Sequence, residues 1–178
     1  MKAFITTFIV SLSLVLTGCG PANIHKIKQE LNTVTGSADA AVKLNHGNYT
    51  SGLYGPVGSD AAVATRVKVA TVLNDVLVPI AVAVDVSKTM TSANFTGSKQ
   101  QIVQLLQAAV AKAIQHPTGN QNIDLALQAI AVALNTALTV IQAFTSADIR
   151  FASPRNMFNE QATALNNIIQ INQEALCL

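Results

Sequence analysis

Charge is scarce in this chain. Lys and Arg number 11 and Asp and Glu 9 among 178 residues, so 11% of positions are charged, against the roughly 25% usual in soluble domains. The cations are scattered and form no basic stripe. That argues against nucleic-acid binding, which needs clustered Lys and Arg to neutralise phosphates, and against a polybasic membrane patch. The three histidines, His25, His46 and His116, stand alone, without the i, i+4 partner or the cysteine spacing of a metal site. The carboxylates are dispersed as well: Glu30, Asp39, Asp60 and Asp75 fall at no repeated catalytic spacing. There is no Gly-x-Ser-x-Gly elbow and no suggestive Cys–His pairing. The chain is therefore expected to be no enzyme and to carry no cofactor or metal.

What is abundant is neutral. Half of the residues are hydrophobic and the net charge is only +2, which argues against disorder. Ala, Val, Leu and Ile dominate, and surface polarity must come from Asn, Gln and Thr. The first residues have a pattern of their own. Met1 and Lys2 form a short positive start, Ala3 to Leu16 form an apolar stretch, and Leu16-Thr17-Gly18-Cys19 follows. The apolar stretch suits an export signal and falls short of the roughly 20 residues of a spanning helix. Leu16-Thr17-Gly18-Cys19 resembles the lipobox of bacterial lipoproteins: a leucine, two small residues, then the cysteine. The resemblance covers only the first nineteen residues.

That resemblance implies cleavage before Cys19, a diacylglyceryl thioether on its sulfur, and N-acylation. Residues 1–18 would then be a signal peptide, and 19–178 a single domain tethered through a flexible N-terminal segment. Each buried CH₂ contributes about 0.8 kcal/mol, so two or three acyl chains hold where one is marginal. In lipoproteins of double-membraned bacteria an Asp after the cysteine marks inner-membrane retention. Gly20 stands there instead and implies the outer membrane in such a host. With the Cys19 thiol consumed, Cys177 has no intramolecular partner. It reads as a small apolar residue at a helix end, or as one half of an intermolecular disulfide.

Five helical segments follow. The first is expected over 22–45, with Ile24, Ile27, Leu31, Val34, Ala38 and Ala41 on one face and an end at Asn45-His46-Gly47. Residues 47–58, rich in glycine and holding both Tyr49 and Tyr54, read as a loop. Its tyrosines either cover the bundle edge or form a recognition surface. Ser59 can cap a second helix reaching about Met90, kinked or broken at Pro79. The β-branched stretch 76–90 keeps a strand as the competing reading. Ser98 and Gln101 form a capping box for the third helix, which stops at His116-Pro117.

Asn120 or Asn122 caps the fourth helix. Ile123, Leu127, Ile130, Leu134, Leu138 and Ile141 line one face, and Leu125, Val132 and Val140 a second. A helix apolar around most of its circumference belongs mid-bundle; its amides and Asp124 interrupt a spanning reading. Ser153 and Pro154 open the last helix. The expected fold is all-α, an antiparallel bundle of four to five helices.

Asp85-Val86-Ser87-Lys88-Thr89-Met90 resembles the Asp-x-Ser-x-Ser/Thr metal site of von Willebrand A-type domains, in which hard oxygens hold Mg²⁺. That fold needs the motif on a first strand with more strands after it. Three helices follow here, so the segment reads as the polar end of a helix. The expectation is a non-enzymatic, lipid-anchored protein of the cell envelope with a structural or interaction role, held by membrane lipid and meeting an envelope protein. The alternatives are a carrier of a small apolar ligand within the bundle and an envelope lipoprotein of a phage or mobile element.

Overall fold

The computed structural model describes residues 21–115, 117–146 and 154–177. Cys19, His116 and Ser153 therefore lie outside the described residues. Within them the chain forms five helices and no strand: α1 (Pro21–Thr50), α2 (Asp60–Lys88), α3 (Phe95–Gln115), α4 (Gln121–Ala143) and α5 (Pro154–Glu174).

α1 does not end at Gly47. It runs on to Thr50, and the stop is a Schellman motif around Gly52. The Gly52 N–H donates to the Tyr49 carbonyl at 3.1 Å and the Leu53 N–H to the Asn48 carbonyl at 2.9 Å. Gly52 takes φ +77°, a conformation in which a Cβ would be strained. The loop is thus 51–59, not 47–58, and Tyr49 belongs to the helix.

Ser59 caps α2, its hydroxyl accepting from the Ala62 N–H. The strand alternative over 76–90 falls away, because α2 continues unbroken through Pro79 to Lys88. Proline has no N–H to give the Asp75 carbonyl. The helix persists because Val76, Leu77 and Ile80 around that point are all fully buried.

The capping box expected at Ser98 is absent. α3 begins one turn earlier, and Thr91 and Asn94 make the reciprocal pair instead. The Thr91 N–H donates to Asn94 Oδ1 at 2.6 Å, and the Asn94 N–H donates to the Thr91 hydroxyl at 3.4 Å. Ser98 is buried inside the helix. Asn120 caps α4, accepting from Asn122 and Ile123.

Cross-helix contacts give the topology. The α1 start meets the α5 start through Lys28–Glu160 at 3.1 Å. The α3 start meets the α4 end, where Lys99 Nζ donates to the carbonyls of Gln142 at 2.7 Å and Phe144 at 2.8 Å. Asn172 near the α5 end donates to the Ala70 carbonyl in the first half of α2. The chain therefore runs up, down, up, down, up. α1 packs chiefly on α4 and α2 on α3, with α5 leaning on α2 and α1.

One continuous core fills the interior, with Val34, Leu73, Leu77, Ile80, Ile123, Ile130, Leu134 and Leu165 fully buried. The position expected of α4 needs correction. It is not wrapped on all sides: Leu125 is 54% and Val132 50% exposed. Apolar side chains on a surface are ordinary in folded proteins, so the second apolar stripe did not specify burial.

Leu134→Ala is expected to cost about 2–5 kcal/mol in chemical denaturation. Leu125→Ala, on the open side of the same helix, should stay within about 0.5 kcal/mol of the parent.

Candidate functional site

Two ends of the bundle carry the features singled out in the sequence. The base is the end where α1 begins, and the crown the end where α1 stops. The lipidation candidate Cys19 lies outside the described residues, two positions before the first residue of α1.

At the base, the segment resembling a metal site forms the last turn of α2 and the residues beyond it. Its oxygens do not converge. Asp85 Oδ1 pairs with Lys88 Nζ at 2.6 Å, the i, i+3 geometry of an ordinary helix surface. The Ser87 hydroxyl donates back to the Ala83 carbonyl at 2.8 Å, and the Thr89 hydroxyl to the Val86 carbonyl at 3.0 Å. Each hydroxyl is taken up by its own helix. Among the described residues no three His, Cys, Asp or Glu side chains come close enough to share a metal ion. An open groove of about 610 Å³ lies beside this turn, lined by Lys88, Thr89, Met90, Thr91 and Asn159. Its lining mixes polar groups with the Met90 side chain.

The crown holds a polar cluster that sequence reading touched only in part. Tyr54 donates its hydroxyl to Asn45 Oδ1 at 3.2 Å and accepts from Asn48 Nδ2 at 3.4 Å. Asn45 Nδ2 reaches across to the Arg66 carbonyl on α2 at 3.2 Å. The Arg66 guanidinium sits over the Tyr49 ring, 4.7 Å from its centre. Asn45 and Asn48 are buried, so they are part of the joint between α1, the loop and α2. Burial pushes the Tyr54 hydroxyl above its ordinary range, and the Asn48 bond pulls it partly back. Both tyrosines thus pack over the bundle edge. What the loop turns outward is aliphatic: Leu53 is 74% and Val57 59% exposed.

The remaining candidates do not assemble. His25 and His46 are both exposed, on opposite halves of α1. Glu30 has its carboxyl pushed up by burial alone. Asp39 pairs with Lys43 at 2.6 Å, and Asp75 lies 4.0 Å from Lys112. Cys177 stands just beyond the end of α5, exposed and with a free thiol.

Two buried amides went unnoticed in the sequence. Gln161 donates to Asn32 at 2.9 Å, joining α5 to α1, and Asn172 donates to the Ala70 carbonyl at 2.7 Å, joining α5 to α2. Their only signal was position, since both interrupt the exposed Asn and Gln of α5. α2 and α4 are long and apolar enough to cross a membrane, but about half of each apolar window is buried inside the bundle.

The chain matches no protein-family model, no curated protein and no solved structure.

Tyr54→Phe should destabilise by about 1 kcal/mol through the lost bond to buried Asn45. The raised Tyr54 value means its stabilising contribution is complete below pH 10 and is lost as pH rises through the folded-state value. Denaturation midpoints of parent and variant should therefore converge at alkaline pH.

Proposed function

We propose that this protein is a non-enzymatic lipoprotein of the bacterial cell envelope, anchored through acyl chains on Cys19 and acting as a structural or protein-interaction module. The observation that carries the reading is the order of the first residues: the positive start at Lys2, an apolar stretch from Ala3 to Leu16 too short to span a bilayer, and Leu16-Thr17-Gly18-Cys19 directly after it.

The interaction role draws on the crown. Leu53, Val57 and Ile114, each more than half exposed, stand on the loop after α1 and at the end of α3. A loop held by a Schellman stop and by the Tyr54–Asn45–Asn48 bonds presents its side chains at little entropic cost. Outer-membrane residence follows from Gly20 in place of Asp if the host has two membranes.

The test is the fate of the thiol. The mature protein should show the mass of a chain starting at Cys19 plus diacylglyceryl and acyl groups, and should fractionate with membranes. Cys19→Ala should abolish the lipid mass and shift the protein out of the membrane fraction. An unmodified Cys19 thiol, or unchanged fractionation of the variant, would refute the anchor.

A further inference from the structure

We infer that the base of the bundle rests directly on the lipid bilayer, so that the protein stands upright on its anchor with the crown held away from the membrane. The inference depends on acylation of Cys19 and adds an orientation to it.

The argument starts from tether length. Only Gly20 separates Cys19 from the first residue of α1. Two residues span at most about 7 Å, less than the roughly 10 Å diameter of a single helix. A diacylated Cys19 therefore keeps the start of α1 at the headgroup layer. α1 itself has 30 residues, or about 45 Å at 1.5 Å per residue.

The other elements at that end are fixed to α1 and not free to swing away. Lys28–Glu160 ties the α5 start to it at 3.1 Å. The groove lined by Lys88 to Thr91 and Asn159 sets the α2 end beside the α5 start. The α3 start is clamped to the α4 end by Lys99, bonded to the Gln142 and Phe144 carbonyls. Phe144 and Phe158 close the core there, both buried.

The chemistry of the base suits a headgroup layer. Residues 89–98, which join α2 to α3 and open α3, carry no charge. Thr91, Ser92 and Asn94 are exposed there, offering hydroxyls and an amide. Asp85 and Glu160 at this end are each paired with a lysine, which limits repulsion from anionic lipid. Approach to the headgroups strips water from neutral donors, a far smaller penalty than for ions. The competing pose lays the bundle on its side, with α4 and its exposed Leu125 and Val132 against the lipid.

The test uses the full lipidated chain carrying Cys177→Ser, with one reporter cysteine added at a time: Ser92→Cys at the base, Val57→Cys at the crown, Ala129→Cys on the side of α4. Each is labelled with an environment-sensitive fluorophore and reconstituted into phosphatidylethanolamine–phosphatidylglycerol vesicles containing headgroup-spin-labelled lipid. Quenching at Ser92 should exceed that at Val57 and at Ala129 at least twofold. A 20-residue Gly/Ser spacer inserted after Gly20 should erase the difference. Equal quenching at the three sites, or strongest quenching at Ala129, would overturn the upright pose while leaving the anchor intact. Protein that fails to float with the vesicles would overturn both.

Discussion

Water-free contact between aliphatic helix faces holds this molecule together, and everything else is arranged around it. With so few charges and few aromatics, ion pairs and rings add little to the interior beyond buried Phe144 and Phe158. Alanine does much of that work: Ala38, Ala41, Ala70, Ala109 and Ala137 are fully buried. Small side chains let helix axes approach to the close end of the usual 8–10 Å range. Leucine and isoleucine on the facing helices then fill the space between. Such a core is strong in sum but weak in specificity, because one aliphatic face resembles another. The buried amides supply what the core lacks. Gln161 on Asn32, Asn172 on the Ala70 carbonyl and Asn45 on the Arg66 carbonyl each lose an interior hydrogen bond if their helix slides by a turn, which is costly for a buried polar group.

The same feature explains what could be read from the sequence. Helix faces were legible wherever apolar residues kept a 3–4 spacing: Ile27, Leu31, Val34, Ala38 and Ala41 on α1, and Ile123, Leu127, Ile130, Leu134, Leu138 and Ile141 on α4, are all buried. So was the Ser59 cap, and the α4 cap to within Asn120 or Asn122, of which the structure selects Asn120. Helix ends were less legible, because several nearby residues can play the same part. Gly47 and Gly52 both qualify as a stop, and only the pairing of Leu53 with the Asn48 carbonyl selects Gly52. Ser98 with Gln101 matches the capping pattern by type, but Thr91 with Asn94 makes the bonds. Asn at the fourth position does there what Glu or Gln usually does.

Burial could be inferred from one apolar stripe but not from two. α4 carries a second row, and the structure leaves Leu125 and Val132 in the open because, among the described residues, the helix packs chiefly on α1 and α3. Sequence records how apolar a helix is, whereas neighbours decide how much of it is covered. α2 makes the point in the other direction. Its β-branched, proline-interrupted middle has weak helix propensity, yet it stays helical because Leu73, Val76, Leu77 and Ile80 find partners on several sides. Tertiary packing overrides local preference there. It also removes the metal-site resemblance of 85–90, since a helical turn aims Ser87 and Thr89 back at their own carbonyls. As for the candidate sites, Cys19 lies outside the described residues, the tyrosine cluster was legible by composition only, and the buried amides not at all. An Asn on a polar face looks the same in sequence whether or not another helix covers it.

Charge scarcity then bears on the proposed role. A nearly neutral protein free in solution has little electrostatic repulsion to keep copies and partners apart, and this promotes association. Confinement by an acyl anchor changes the consequence of that property. Held at a surface with its crown about 45 Å from the base, the bundle would offer Leu53 and Val57 to a partner while several of its charges pair with one another. Asp39 with Lys43, Asp85 with Lys88 and Glu160 with Lys28 are examples. A surface of amides and hydroxyls contributes little to long-range steering, so recognition would depend on contact and on proximity supplied by the membrane. In that arrangement the anchor sets the local concentration, the aliphatic core sets the rigidity, and the aliphatic crown supplies the area available for binding.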